Sequence, residues 1–142
     1  MILSSGEIQK RLSAGSGLVI RPYSEACQQP ASYDLRVEEA LPLLAGRCTL
    51  VHSLEWVEIP SDLAATLRCR SSFARQGVLL GGGFVDPGFR GQLTLSLVNM
   101  GGDEIQLNPG DRVVQMILHQ VAGGFQVYDG RYQDSRGVVP AR

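Results

Sequence analysis

The clearest pattern in the chain lies at residues 92–97, where Leu93, Leu95 and Leu97 alternate with Gln92, Thr94 and Ser96. A period of two predicts a strand with one buried and one polar face. Comparable β-rich runs recur between turn residues: "GLVIRPY", "SYDLRV", "CTLVHSLEWVEIP", "ATLRCR", "GVLLGG", "DEIQLNPG", "DRVVQMILHQV" and "FQVYDG". The domain is therefore expected to be all-β. Helical periodicity is confined to the N-terminus: Ser4 and Glu7 have capping-box spacing, Ile8 and Leu12 recur at i, i+4, and Gly15 and Gly17 end the pattern. "NPGD" reads as a turn on Pro109 and Gly110 that delivers Asp111, Arg112 and Gln115 to the next strand. With no internal repeat or linker, residues 1–142 form one domain, and the terminal stretch from about Gly130 is expected to be mobile.

Length and charge narrow the function. The 142 residues suffice for one core, and 13 basic against 14 acidic side chains give no global attraction to nucleic acid or to a membrane. No run approaches the roughly 20 apolar residues of a membrane span, and the N-terminus lacks a secretory pattern. Cys27, Cys48 and Cys69 are odd in number and widely spaced, which argues against a disulfide framework or a zinc site. A cytoplasmic protein is expected.

Chemistry concentrates in five stretches: Asp34 and Arg36 in "SYDLRV"; Arg70, Ser71, Ser72 and Arg75 in "CRSSFARQG"; Asp86 and Arg90 in "FVDPGFRG"; Asp111, Arg112 and Gln115 in "GDRVVQ"; and Arg131, Arg136 and Arg142 in the tail. Arginine forks, hydroxyls and an amide beside glycines suit a polyanion, because planar donors match phosphate oxygens two at a time. Each stretch alone has a plainer reading. Arg70 or Arg112 could make a structural ion pair, Asp34 or Asp111 could hold a neighbouring arginine, Ser71 and Ser72 could be turn hydroxyls, and "GGG" at 81–83 could be a hairpin tip. His52, His119 and Trp56 fit structural roles.

In order and spacing, the five stretches resemble the superfamily of trimeric dUTP diphosphatases and dCTP deaminases. "QPASYDLRV", "RSSFARQG", "DPGF" and "YQDSRG" look like the deaminase branch, whereas "GVLLGGGFVD" through "FRGQLTLSLVN" looks like the diphosphatase branch. The resemblance implies a distorted β-barrel or jelly roll with a short N-terminal helix, assembled as a homotrimer with shared active sites. It also implies Mg2+ as cofactor and a deoxynucleoside triphosphate as substrate.

Ser96 separates the branches. Deaminases carry a pattern near "TLEL" whose glutamate moves protons; this chain reads "TLSL". A serine hydroxyl cannot replace that acid at neutral pH, and general acid/base help is worth roughly 10²–10⁴-fold, so deamination is expected to be absent or vestigial. The resemblance then points to dUTP hydrolysis to dUMP and pyrophosphate, with Asp86 activating the water that attacks the α-phosphorus. Phe89 would pack on the deoxyribose, and the hairpin at Val78 to Val85, with Gly81, Gly82, Gly83 and Phe84, would read uracil. Arg70, Ser71, Ser72, Arg75 and Gln115 would hold phosphates, Arg136 would reach the γ-phosphate, and Tyr132 would cover the base. Asp34 would help hold the metal through water. Two alternatives are a dCTP deaminase, with or without dUTPase activity, and a nucleotide-sensing module without turnover.

Overall fold

A computed structural model describes residues 1–124 and 126–142. Helix α1 (Ser5–Ser13) is followed by β1 (Val19–Arg21), a 3-10 turn (Glu25–Cys27), β2 (Gln28–Gln29), β3 (Ser32–Arg36), β4 (Leu41–Leu43), β5 (Cys48–Glu58) and β6 (Leu63–Cys69). Then come helix α2 (Ser71–Ala74), β7 (Val78–Leu80), β8 (Phe84–Val85), β9 (Arg90–Asn99), β10 (Ile105–Leu107) and β11 (Arg112–Gln120). The strands form a four-stranded sheet β1-β5-β9-β7, a five-stranded sheet β2-β3-β11-β6-β8 and a small pair β10-β4. Every pairing is antiparallel. This is the all-β architecture that the alternation and the turn residues imply.

The two large sheets share one core. Val51, Val57, Leu95 and Leu97 from the first meet Leu35, Val114, Met116 and Leu118 from the second in a single buried cluster. Burial along β9 follows the sequence alternation, with Leu93, Leu95 and Leu97 inside and Gln92, Thr94 and Ser96 partly exposed. Helix α1 starts where the capping box places it, Ser4 Oγ accepting from the Glu7 amide. Its Ile8 is fully buried, Leu12 packs against the core and Arg11 bonds Asp62 at 2.7 Å, so the helix is pinned by apolar and charged contacts together. Among the described residues no helix is long and apolar enough to cross a membrane.

Two expected elements differ. The run "FQVYDG" begins at Phe125, outside the described residues, and 126–129 form no strand; Val127 is 55% exposed. Conversely, "SSFA" turns into the short α2, which four residues cannot announce by periodicity.

A buried ion pair ties the sheets together. Glu55 on β5 is fully buried; it accepts from the Arg36 backbone amide at 3.0 Å and from Arg36 Nε at 2.6 Å, and Arg36 also donates to the Pro22 carbonyl. Burial pushes the Glu55 carboxyl upward while these Arg36 bonds hold it down. Glu55→Ala would leave the half-buried Arg36 guanidinium without its counter-charge, so a loss of about 3 kcal/mol is expected in urea denaturation.

Candidate active site

Asp86 sits on a turn built by its own neighbours. Pro87 follows it, Gly88 has φ +84, and the Phe89 amide donates to the Asp86 carbonyl at 3.2 Å. Proline at the second position and a left-handed glycine at the third are what a type II turn requires. The turn opens onto a cavity of about 580 Å³ lined by Asp86, Phe84, Phe89, Thr94, Tyr128 and Tyr132 among others. Asp86 is the only carboxylate among the described residues lining it. Phe89 is 7% exposed and meets Tyr128 edge-on, centroids 5.7 Å apart, while Tyr128 Oη accepts from the Tyr132 amide. Sequence reasoning missed Tyr128; an aromatic ahead of a glycine at the start of the tail was the signal available.

The glycine hairpin borders this turn. Gly81 donates to the Ser96 carbonyl at 2.8 Å and Gly83 accepts from the Leu67 amide at 2.7 Å. Gly83, at φ +126, could not carry a side chain, because a Cβ there would lie 2.8 Å from that of Leu67. Among the described residues, Gly82 has neither its N–H nor its C=O bonded. Behind Gly81, Ser96 Oγ lies 3.1 Å from Cys48 Sγ. A hydroxyl and a thiol therefore occupy the position that the deaminase pattern gives to an acid.

The phosphate-binding candidates gather elsewhere. On β11, Gln115 lies between Asp34 of β3 and Arg68 of β6. Arg70 Nε is 2.9 Å from Asp34 Oδ2 and Arg112 Nη1 is 3.7 Å from it, yet both carboxylate oxygens lack a well-directed hydrogen bond. Burial pushes the Asp34 carboxyl upward against the pull of Arg70 and then of Arg112. Asp34 thus holds two guanidiniums together, and Arg70 is braced further on the Arg112 carbonyl. Ser71, Ser72 and Arg75 on and beside α2 are exposed just beyond.

The two groups are far apart within one chain. Val85 is in register with Ala65, five residues before Arg70, and Asp86 lies one residue farther away. At about 3.3 Å per residue, roughly 20 Å separates Asp86 from the arginine cluster, well beyond the length of a triphosphate.

The tail follows the edge of a strand. Expected to be mobile from about Gly130, it runs along β9: Gln92 donates to the Ser135 carbonyl at 2.8 Å, Gly137 to Gln92 Oε1 at 2.7 Å and Val139 to Thr94 Oγ1 at 2.9 Å. Asp134 pairs with Arg90 at 2.5 Å, which holds its carboxyl below the usual range. This course brings Tyr132 to the cavity wall but carries Arg136 away, its guanidinium 4.7 Å from the Trp56 ring centroid.

Comparisons with known proteins bear on family and fold. A family model described as dCTP deaminase-like matches residues 38–121. The dCTP deaminase of Pyrococcus abyssi is 35% identical over 98% of this chain and 97% of its own length. Among solved structures, the 2'-deoxycytidine 5'-triphosphate deaminase of Agrobacterium tumefaciens superposes with a TM-score of 0.73 at 21% identity, over 84% of this chain and 48% of that one, so this chain spans about half its length. The EIAV dUTPase superposes with a TM-score of 0.64 at 23% identity, over 80% of this chain and 98% of that one. With the matched segment covering more than half of the residues, the chain belongs to the dCTP deaminase-like family, and it shares its fold with the EIAV dUTPase.

Proposed function

We propose that this protein hydrolyses dUTP to dUMP and pyrophosphate. The observation that carries the reading is the pairing of Asp86, the sole acid among the described residues of the cavity, with a Cys48–Ser96 pair at the deaminase-acid position. Hydrolysis needs one carboxylate to orient and deprotonate water for attack on the α-phosphorus; the P–O bond to pyrophosphate then breaks, and cationic donors neutralise the charge that develops. Deamination needs more, because a proton must travel from the attacking water to the base and to departing ammonia.

Each remaining group has a part in this reading. The Gly82 peptide offers a donor to a uracil carbonyl and an acceptor to its N3–H. Phe89 and Tyr128 pack the sugar, and Tyr132 lies where it can cover the base. Arg70, Ser71, Ser72, Arg75 and Gln115 hold the phosphates of a nucleotide seated on a neighbouring copy, since their distance from Asp86 prevents one chain from completing the site. A homotrimer with shared active sites satisfies that demand by closed symmetry.

Magnesium enters as the companion of the triphosphate. Among the described residues no three His, Cys, Asp or Glu side chains form a metal-holding group, and Asp34 is taken up by Arg70 and Arg112. Among the described residues, then, no group dedicated to a metal is formed. A hard cation that keeps its waters and is bound mainly by phosphates needs none.

A second reading, dCTP deamination, is favoured by the likeness to the Pyrococcus abyssi protein. Assays of wild-type protein with dUTP and dCTP, following pyrophosphate and ammonia together, separate the two: pyrophosphate from dUTP without ammonia from dCTP supports hydrolysis, and ammonia from dCTP overturns it. Restoring the acid while making room for it, in a Ser96→Glu, Cys48→Ala double variant, is expected to produce ammonia from dCTP where the wild type produces none, measured by coupled glutamate dehydrogenase assay.

A further inference from the structure

The turn that presents Asp86 is held by an unusually complete set of bonds. Between Pro87 and Arg90 the backbone exposes six polar groups. The Pro87 carbonyl accepts from the Tyr128 amide at 2.7 Å, the Gly88 amide donates to the Ile59 carbonyl at 2.8 Å, and the Phe89 carbonyl accepts from the Ile59 amide at 2.8 Å. The Phe89 amide closes the turn on Asp86. The two groups left, the Gly88 carbonyl and the Arg90 amide, are both satisfied by one side chain: Gln133 Nε2 donates to the first at 2.9 Å and Gln133 Oε1 accepts from the second at 2.9 Å.

We propose that Gln133, a tail residue, is a positioning residue that fixes the turn carrying Asp86 and Phe89. The inference rests on the hydrolytic reading for its kinetic consequence, though not for its structural content. Gln133 lines no part of the cavity, so it acts through the turn. A carboxamide supplies a donor and an acceptor side by side on a rigid plane, and asparagine is too short by one methylene to span the same two groups. Glutamate has the shape but, when ionised, sets an oxygen against the Gly88 carbonyl. The neighbouring Asp134 pairs with Arg90 and the Asp134 amide donates to the Arg90 carbonyl, so the tail has an anchor beside the turn that is separate from the Gln133 side chain.

The test compares Gln133→Ala, Gln133→Glu and Asp134→Asn with the wild type by amide hydrogen exchange over residues 86–91 and by steady-state dUTP hydrolysis. Asp134→Asn weakens the ionic anchor of the tail without touching the Gln133 bridge. Both Gln133 variants are expected to exchange faster at Gly88 to Arg90 and to lose roughly 10–100-fold in kcat with KM within about threefold, as small misplacements of reacting groups do. Asp134→Asn is expected to keep kcat within about twofold. Wild-type exchange and kcat in Gln133→Glu would overturn the proposal, as would an equal kcat loss in Asp134→Asn, which would mean that tail attachment alone matters. If the wild type does not hydrolyse dUTP, the functional reading fails, while the exchange comparison still decides whether Gln133 fixes the turn.

Discussion

Asp86→Asn is expected to abolish dUTP turnover, lowering kcat by roughly 10²–10⁴-fold, while the nucleotide still binds with Kd within a few-fold of wild type. The turn itself should survive. It is the Asp86 backbone carbonyl that closes on the Phe89 amide, the side chain is exposed, and asparagine is equally suited to the first position of such a turn. Loss of activity would therefore report the missing base rather than a collapsed site. Among the described residues no other acid lines the cavity to substitute for it. Binding by isothermal titration with a non-hydrolysable dUTP analogue, beside kcat from pyrophosphate release, separates the two effects; retained turnover would remove Asp86 from the role.

The second large effect comes from mixing two inactive proteins. Asp86→Asn spoils one half of the proposed composite site and Arg75→Ala the other, and Arg75 is exposed beyond α2, where truncation disturbs no core contact. If each site joins the Asp86 turn of one copy to the arginine cluster of a neighbour, mixed trimers contain sites with both halves intact. Random assembly from equal amounts makes each half intact with probability about one half, so about a quarter of the wild-type rate should return after co-refolding. A mixture as inactive as its components would mean that one chain completes its own site, contrary to the roughly 20 Å that the β6 register places between the halves.

What could be read from the sequence was whatever local pattern encodes. The alternation at 92–97 became the inner and outer faces of β9, Ser4 and Glu7 marked the start of α1, and "DPG" gave the turn under Asp86. The motif residues were also legible as a set, because each lies on a short contiguous stretch. Their arrangement was not. Nothing in "SYDLRV" announces that Asp34 is buried between Arg70 and Arg112, since those contacts span 36 and 78 positions of chain. The Arg36–Glu55 pair, the Tyr128 ring on Phe89 and the Gln133 bridge are likewise long-range, made by side chains whose local context resembles any polar loop. Arg136 shows the converse. An arginine beside a glycine suits a phosphate arm, but the bonds from Ser135, Gly137 and Val139 to β9 set its course and leave its guanidinium on Trp56.

The central claim, that Asp86 directs water onto the α-phosphorus of dUTP, is tested most directly by turnover in ¹⁸O-enriched water with mass analysis of both products. The account predicts one label in the phosphate of dUMP and none in pyrophosphate. Label in pyrophosphate would place the attack on the β-phosphorus and contradict the geometry assigned to Asp86, and absence of hydrolysis altogether would contradict the functional reading.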